Sequence, residues 1–273
     1  MRRAQPVLQV LFLGGLMALS SCAADRGVVS ASEAGEDWIA LFDGASLDGW
    51  TPKLVGQPLG SDTDRTFRVR DGLLVVDYGD YEGDFAERFG HLFHELPLSH
   101  YRLRIEYRFV GEQVPGGPGW ALRNSGVMLH CQDPATMGLD QSFPVSIEAQ
   151  MLGGDGVHER HNGNLCTPGT HVEMGGELIT RHCTDSTSHT YHGDEWVLLE
   201  LEVHGSERVV HWLEGEPVLE YGGLQLDPGD ADAARLLEAG AALELDHGWI
   251  SIQAESHPLE VRRIELLMLP ETD

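Results

Sequence analysis

The chain has 273 residues and a formal charge of −26, from 44 acidic and 18 basic side chains. Such a surface repels nucleic acid and anionic lipid headgroups, which argues against both as charge-held partners. A hydrophobic share of 41% is too high for a disordered chain, and 33 glycines with 13 prolines point to many turns and short strands.

Arg2 and Arg3, the apolar run Val7 to Leu19 and then Leu19-Ser20-Ser21-Cys22 predict a bacterial lipoprotein signal peptide over residues 1–21. Cys22 would carry the lipid. The run is shorter than the roughly 20 apolar residues a spanning helix needs, so the membrane is met only through acyl chains. This predicts a lipid-anchored protein of the bacterial cell envelope, at the outer membrane or on the periplasmic side. The competing reading is an ordinary secretory peptide cut nearby. Residues 22–36 read as a polar tether, and 37–270 as a single domain.

Within that domain, Phe67 to Val76 is predicted as a hairpin turning at Asp71-Gly72, since Asp-Gly between apolar runs suits a tight turn. Tyr101 to Phe109 alternates Tyr101, Leu103, Ile105, Tyr107 and Phe109 with charged residues, the pattern of a half-buried strand. Asn124 to His130 and Val145 to Met151 read as two more strands. Trp196 to His204 and Arg208 to Leu213 form a pair turning at Gly205-Ser206, and Val218 to Tyr221 follows. Ala231 to Ala242 is the one helical piece, read as an insertion. Trp249 to Glu255 and Val261 to Leu269 close the chain. With no βαβ rhythm, the strand count predicts two antiparallel sheets packed face to face.

Period two puts Ile147, Ala149 and Met151 toward a core and Ser146, Glu148 and Gln150 on the opposite face. Gln253 and Glu255 share a face in the same way, and His257 extends that row. Seven of the fourteen histidines fall between His130 and His192, which marks residues 153–193 as a functional rim. His158-Glu159-Arg160-His161 has i, i+3 spacing rather than the i, i+4 of a zinc-protease helix. His182, Cys183, His189 and His192 offer a zinc set, but an exported compartment favours a disulfide. Setting Cys22 aside for the lipid, the expected bond is Cys166–Cys183, with Cys131 free and buried.

Leu41-Phe42-Asp43-Gly44 with Leu47-Asp48-Gly49-Trp50, Asn124-Ser125-Gly126, Ile147-Glu148-Ala149-Gln150, Glu195-Trp196 and Gly248 to Gln253 occur in that order. As a set they resemble the 3-keto-disaccharide hydrolase domain, formerly domain of unknown function 1080, over Trp38 to Leu269. The resemblance implies an all-β, concanavalin A-like jelly-roll sandwich. It implies cleavage of glycosides whose C3 hydroxyl is already a ketone, by hydrolysis or by C2-proton abstraction and β-elimination. A sugar 3-dehydrogenase would then act upstream.

That chemistry needs a base near neutral pKa and a cation or donor for the enediolate oxygen. The candidate catalytic residues are His130, Glu148 and Arg181. The candidate sugar-binding residues are Asn124, Gln150, His182, Gln253, Glu255 and His257. Against each stands a plainer reading: a solvated sheet face for the acids and amides, a structural histidine for His130, a surface arginine for Arg181. The residues assign no definite cofactor, and a divalent metal on Glu148 and histidines is an alternative source of the positive charge. Paired glycosidase carboxylates are not evident, because Gln150 stands where the second acid is wanted. The rival function is a non-catalytic, lectin-like carbohydrate-binding domain on the same sandwich.

Overall fold

The computed structural model describes residues 37–271; the expected signal peptide, the expected tether and Cys22 lie outside them. In chain order the strands are β1 (Ile39–Ala40), β2 (Trp50–Leu54), β3 (Phe67–Arg70), β4 (Leu73–Val76), β5 (Gly90–His94), β6 (His100–Phe109), β7 (Asn124–Cys131), β8 (Ile147–Leu152), β9 (Asn164–Cys166), β10 (Thr170–Met174), β11 (Glu177–Ile179), β12 (Cys183–Thr184), β13 (Val197–His204), β14 (Arg208–Leu213), β15 (Glu216–Leu226), β16 (Trp249–Ala254) and β17 (Leu259–Met268). Helix α1 is Ala231–Glu238. Every strand pairing is antiparallel. One sheet runs β11-β10-β15-β14-β13-β6-β17-β4-β3 with β1 on β17, and a seven-stranded sheet runs β12-β9-β8-β7-β16-β5-β2. This is the all-β, two-sheet arrangement expected from the strand pattern, with one short helix.

Local chemistry explains several boundaries. Asp71 and Gly72 both take positive φ, 54° and 82°, as the hairpin between β3 and β4 demands. The alternation of β6 is realised: Tyr101, Leu103, Ile105, Tyr107 and Phe109 are buried, and Leu103 and Ile105 pair with Leu201 and Leu199 of β13. Each such side chain contributes about 1.5–3 kcal/mol by leaving water. The opposite face carries a lattice of ion pairs, including Arg108–Glu260 at 2.6 Å and Arg104–Glu265. Asp230 caps α1 by accepting from the amides of Asp232 and Ala233. The helix ends earlier than the sequence suggests, where Gly240 turns to positive φ.

The inter-sheet core takes Val127, Leu129, Ile147, Ala149, Met151, Ile250, Ile252 and Ala254 from the seven-stranded sheet. The intervening residues of β7, β8 and β16 therefore emerge on its other face, and that face builds the site.

Candidate active site

Register assembles the site. Met128 pairs with Glu148, and Glu148 with Cys166; Gly126 pairs with Gln150, and Gln150 with Asn164. On the far side Gln253 pairs with His91, and His91 with Lys53. Glu148, Gln150, Asn124 and Glu255 together line a cavity of about 540 Å³, with Trp120, Phe143 and Arg160 at its sides and His182 and the Cys166–Cys183 pair at its edge.

Gly126 has a steric job here. A Cβ on it would sit 2.7 Å from Oε1 of Glu148 and 2.8 Å from its Cγ. The missing side chain lets Glu148 lie flat across β7 toward β16. Glu148 and Glu255 are 6% and 3% exposed, and they feel one another. Burial pushes Glu148 up to about 8. Burial and then the charge of Glu148 push Glu255 well above the usual carboxyl range. Two buried carboxyls sharing one pocket cannot both ionise readily, so the pair keeps a proton where two exposed carboxyls would have lost both.

Around the pair, several buried polar atoms have no protein partner: Oδ1 of Asn124, Oε2 of Glu255, both amide atoms of Gln253 and Nε2 of His91. Such groups carry a desolvation cost unless something polar meets them. Gln150 is better satisfied, since Oε1 accepts from Nδ2 of Asn164 at 2.9 Å. Arg160 is half-buried and donates to the Gly153 carbonyl at 2.6 Å, leaving guanidinium donors at the cavity wall.

Asn124, Glu148, Gln150, Glu255 and His182 thus come together as expected, and Gln253 lies buried on the same face. Three residues lie elsewhere. His130 points to the other face, where Nε2 meets the Gly205 carbonyl at 3.0 Å and the ring packs against Tyr101. The cause is a bulge. Trp249 pairs with Cys131 but Ser251 with Met128, so Leu129 and His130 together oppose Ile250, and His130 takes φ 47°. Strict alternation breaks at that residue. Arg181 is exposed on the bend before β12, outside the cavity lining. The cation that lines the cavity is Arg160, hidden in the histidine-rich segment that fails as a zinc motif. His257 packs edge-on to Phe109 at 5.6 Å, and burial lowers it to about 4.

One further correction follows. Paired carboxylates do exist, but the second comes from the end of β16 and not from position 150. Among the described residues, the one group of three metal-ligating types is Cys166, His182 and Cys183. Its sulfurs are joined at 2.05 Å and are not thiolates, and no histidine joins Glu148 in such a group. Cys131 is free and buried, as expected. Sequence reasoning missed Trp120, which lines the cavity, and His91, whose ring packs behind the lining residue Phe143 at 5.8 Å. The strand signal of Gly90–His94 was masked because all five residues are buried, which erases alternation.

A model of the 3-keto-α-glucoside-1,2-lyase-like domain matches residues 37–267. The chain belongs to that family. Family membership gives it a carbohydrate-related role. No curated protein matches the chain. Among solved structures, a protein of Parabacteroides distasonis ATCC 8503 described provisionally as a glycosyl hydrolase is 19% identical, with 89% of this chain and 99% of that one aligned at a TM-score of 0.49. A protein described with the endo-acting O-glycanases of the human gut microbiota is 12% identical, over 85% and 98%, at 0.50. The exoplasmic domain of VIP36, bound to Ca²⁺ and Man3GlcNAc, is 9% identical over 86% and 90%, at 0.47. At these identities the likeness of the lyase-like domain to other proteins is one of fold.

Proposed function

We propose that the protein cleaves 3-keto-glycosides by removing the C2 proton and eliminating the C1 substituent. The observation that carries this reading is the Glu148–Glu255 pair, two buried carboxyls, one on β8 and one just past β16, that line one cavity and are both raised by burial. Elimination needs one base and one acid in the same pocket, and such a pair supplies both.

Glu148, as carboxylate, takes the C2 proton, which the neighbouring ketone acidifies. The C2–H electron pair becomes the C2=C3 bond of an enediolate, and the ketone oxygen takes up the negative charge. Arg160 is the lining cation suited to that oxygen, where low dielectric strengthens the attraction. The pair then returns: C3=O reforms, C1=C2 forms and the C1–O bond breaks. Glu255 hands its proton to the departing oxygen. Water adding across C1=C2 would release the free 3-keto sugar, giving net hydrolysis. No electron is gained or lost, so the ketone must come from an upstream sugar 3-dehydrogenase. On the sequence signal alone, we place the chain at the cell envelope through lipid on Cys22; mass spectrometry of the processed N-terminus checks this.

Incubation with a 3-keto-glucoside and with its unoxidised parent tests the reaction. Aglycone should leave only the ketone, with a primary isotope effect when C2 carries deuterium. Release from the unoxidised glucoside at an equal rate would remove the ketone from the mechanism. One observation favours a lectin-like reading: Trp120 is 54% exposed at the cavity side and stacks on Phe89 at 5.9 Å, a platform for a sugar ring. Binding of unoxidised sugar with no turnover of the ketone would support that alternative.

A further inference from the structure

A second cleft, of about 630 Å³, adjoins the cavity that holds the carboxyl pair. Both are within the roughly 300–1,000 Å³ of small-molecule sites. Phe143, Pro168 and His182 line both and form the seam between them. Beyond the seam the cleft is walled by the 138–145 loop and by the first turns of α1. Its charged side chains are Asp140, Asp230, Asp232 and Arg235, with Arg235 paired to Asp232. The helix is held in place by Ala233, buried in an apolar cluster with Val145 and Leu226. Val145 is two residues before the strand that carries Glu148.

We propose that this cleft, walled by helix α1, is an aglycone subsite that takes a neutral or amino-bearing sugar and turns away acidic ones. The inference rests on the elimination reading above, since it needs the reacting sugar over Glu148 and Glu255. A glycoside seated there with its C1 substituent directed across the seam would set that substituent in the cleft. Three carboxyls against the Arg235 guanidinium and the buried Lys53 ammonium that Asp140 faces leave the cleft net acidic, and within a molecule of charge −26 this disfavours a second carboxylate or a sulfate. Hydroxyls and an ammonium group find acceptors instead. The helix, which interrupts an otherwise all-strand order between β15 and β16, sets which partner sugar is accepted and takes no part in proton transfer.

The test compares 3-keto-glucosides that differ only in the aglycone: methyl, glucosyl, glucosaminyl and glucuronosyl. Binding energy from a remote ring is spent at the reacting centre, so kcat/KM for glucosyl should exceed that for methyl by roughly tenfold or more. Glucuronosyl should fall below glucosyl by about fivefold at low ionic strength, with the gap closing in high salt. Asp140→Asn should narrow that gap. Gly138 lines the cleft, and a Cβ there makes only ordinary contacts, with Cβ and the backbone N of Gln141 at 3.6 and 3.9 Å and with a guanidinium nitrogen of Arg235 at 4.0 Å. Gly138→Trp should therefore fill the cleft, abolish the glucosyl advantage and leave the methyl substrate as fast as before; retained methyl turnover shows that the variant is folded. Equal rates for methyl and glucosyl in the unaltered protein would overturn the subsite while leaving the elimination reading intact. Turnover of no 3-keto substrate would end both. A faster glucuronosyl than glucosyl substrate would reverse the charge argument.

Discussion

At the residue scale, the site depends on one buried carboxyl given room by one glycine. Glu148 is raised by burial to about 8 from an ordinary 4.5, so the fold holds its proton where the unfolded chain has lost it. Stability from this group is full below about 4.5 and is lost as pH rises through about 8. Activity runs the other way, because only the carboxylate can take a proton. Turnover of a 3-keto-glucoside should therefore climb with pH as the melting temperature drifts down. Glu148→Gln should abolish turnover yet stabilise the protein by on the order of 1 kcal/mol at alkaline pH, with little difference in acid. A variant no more stable than the parent at either pH would mean that Glu148 is not strained by burial. Gly126→Ala tests the same geometry without touching a titrating group. The new methyl group must push Glu148 aside, and a shift of that kind costs about 100-fold in kcat. Undiminished kcat would show that Glu148 acts from another position.

At the element scale, what could be read from sequence followed the regularity of each strand. β13 alternates without interruption and β6 does so but for the buried Arg104, and their extents and faces match the expectation within a residue or so; β14 matches in extent, although Val209, Val210 and His211 are buried in succession. The polar rows of β8 and β16 likewise predicted that Glu148 and Glu255 share a face. His130 failed for the opposite reason, because one extra residue in β7 reverses every later side chain. β5 sets His91 against Phe143 of the cavity wall at 5.8 Å, and, buried along its whole length, it shows no surface period. The segment from 153 to 193 is irregular in composition yet contributes β9 to β12. Its edge strand β12 spans two residues and is tied to β9 by the Cys166–Cys183 bond. A crosslink over 17 residues is worth about 3 kcal/mol in the loop-entropy model. Cys183→Ser should lower stability by that order, and, because Cys166 is the register partner of Glu148, turnover should fall with it. Full activity with β12 released would make the bond purely structural.

At the scale of the whole molecule, two electrostatic patterns oppose one another. The larger sheet turns outward a lattice in which Arg102 meets Glu200, Arg108 meets Glu260, and Trp196 is flanked by Arg108 and Arg262 at 4.5 and 4.6 Å. These pairs are solvent-facing, each worth about 0–1 kcal/mol, and salt weakens them. Against them stands a net charge of −26, whose self-repulsion falls on the compact state more than on the expanded one. Screening relieves that repulsion over every separation beyond the Debye length, about 10 Å at 0.1 M salt, whereas it reaches the lattice only pair by pair at contact distances near 3 Å. The long-range term should win. We expect the melting temperature at neutral pH to rise as sodium chloride is added from low ionic strength, and to rise less in Asp140→Asn combined with neutralisation of other exposed, unlatticed acids such as Glu87 and Glu112. A melting temperature that falls on adding salt would show that the outward lattice, and not the sum of charge, governs how this sandwich responds to its surroundings.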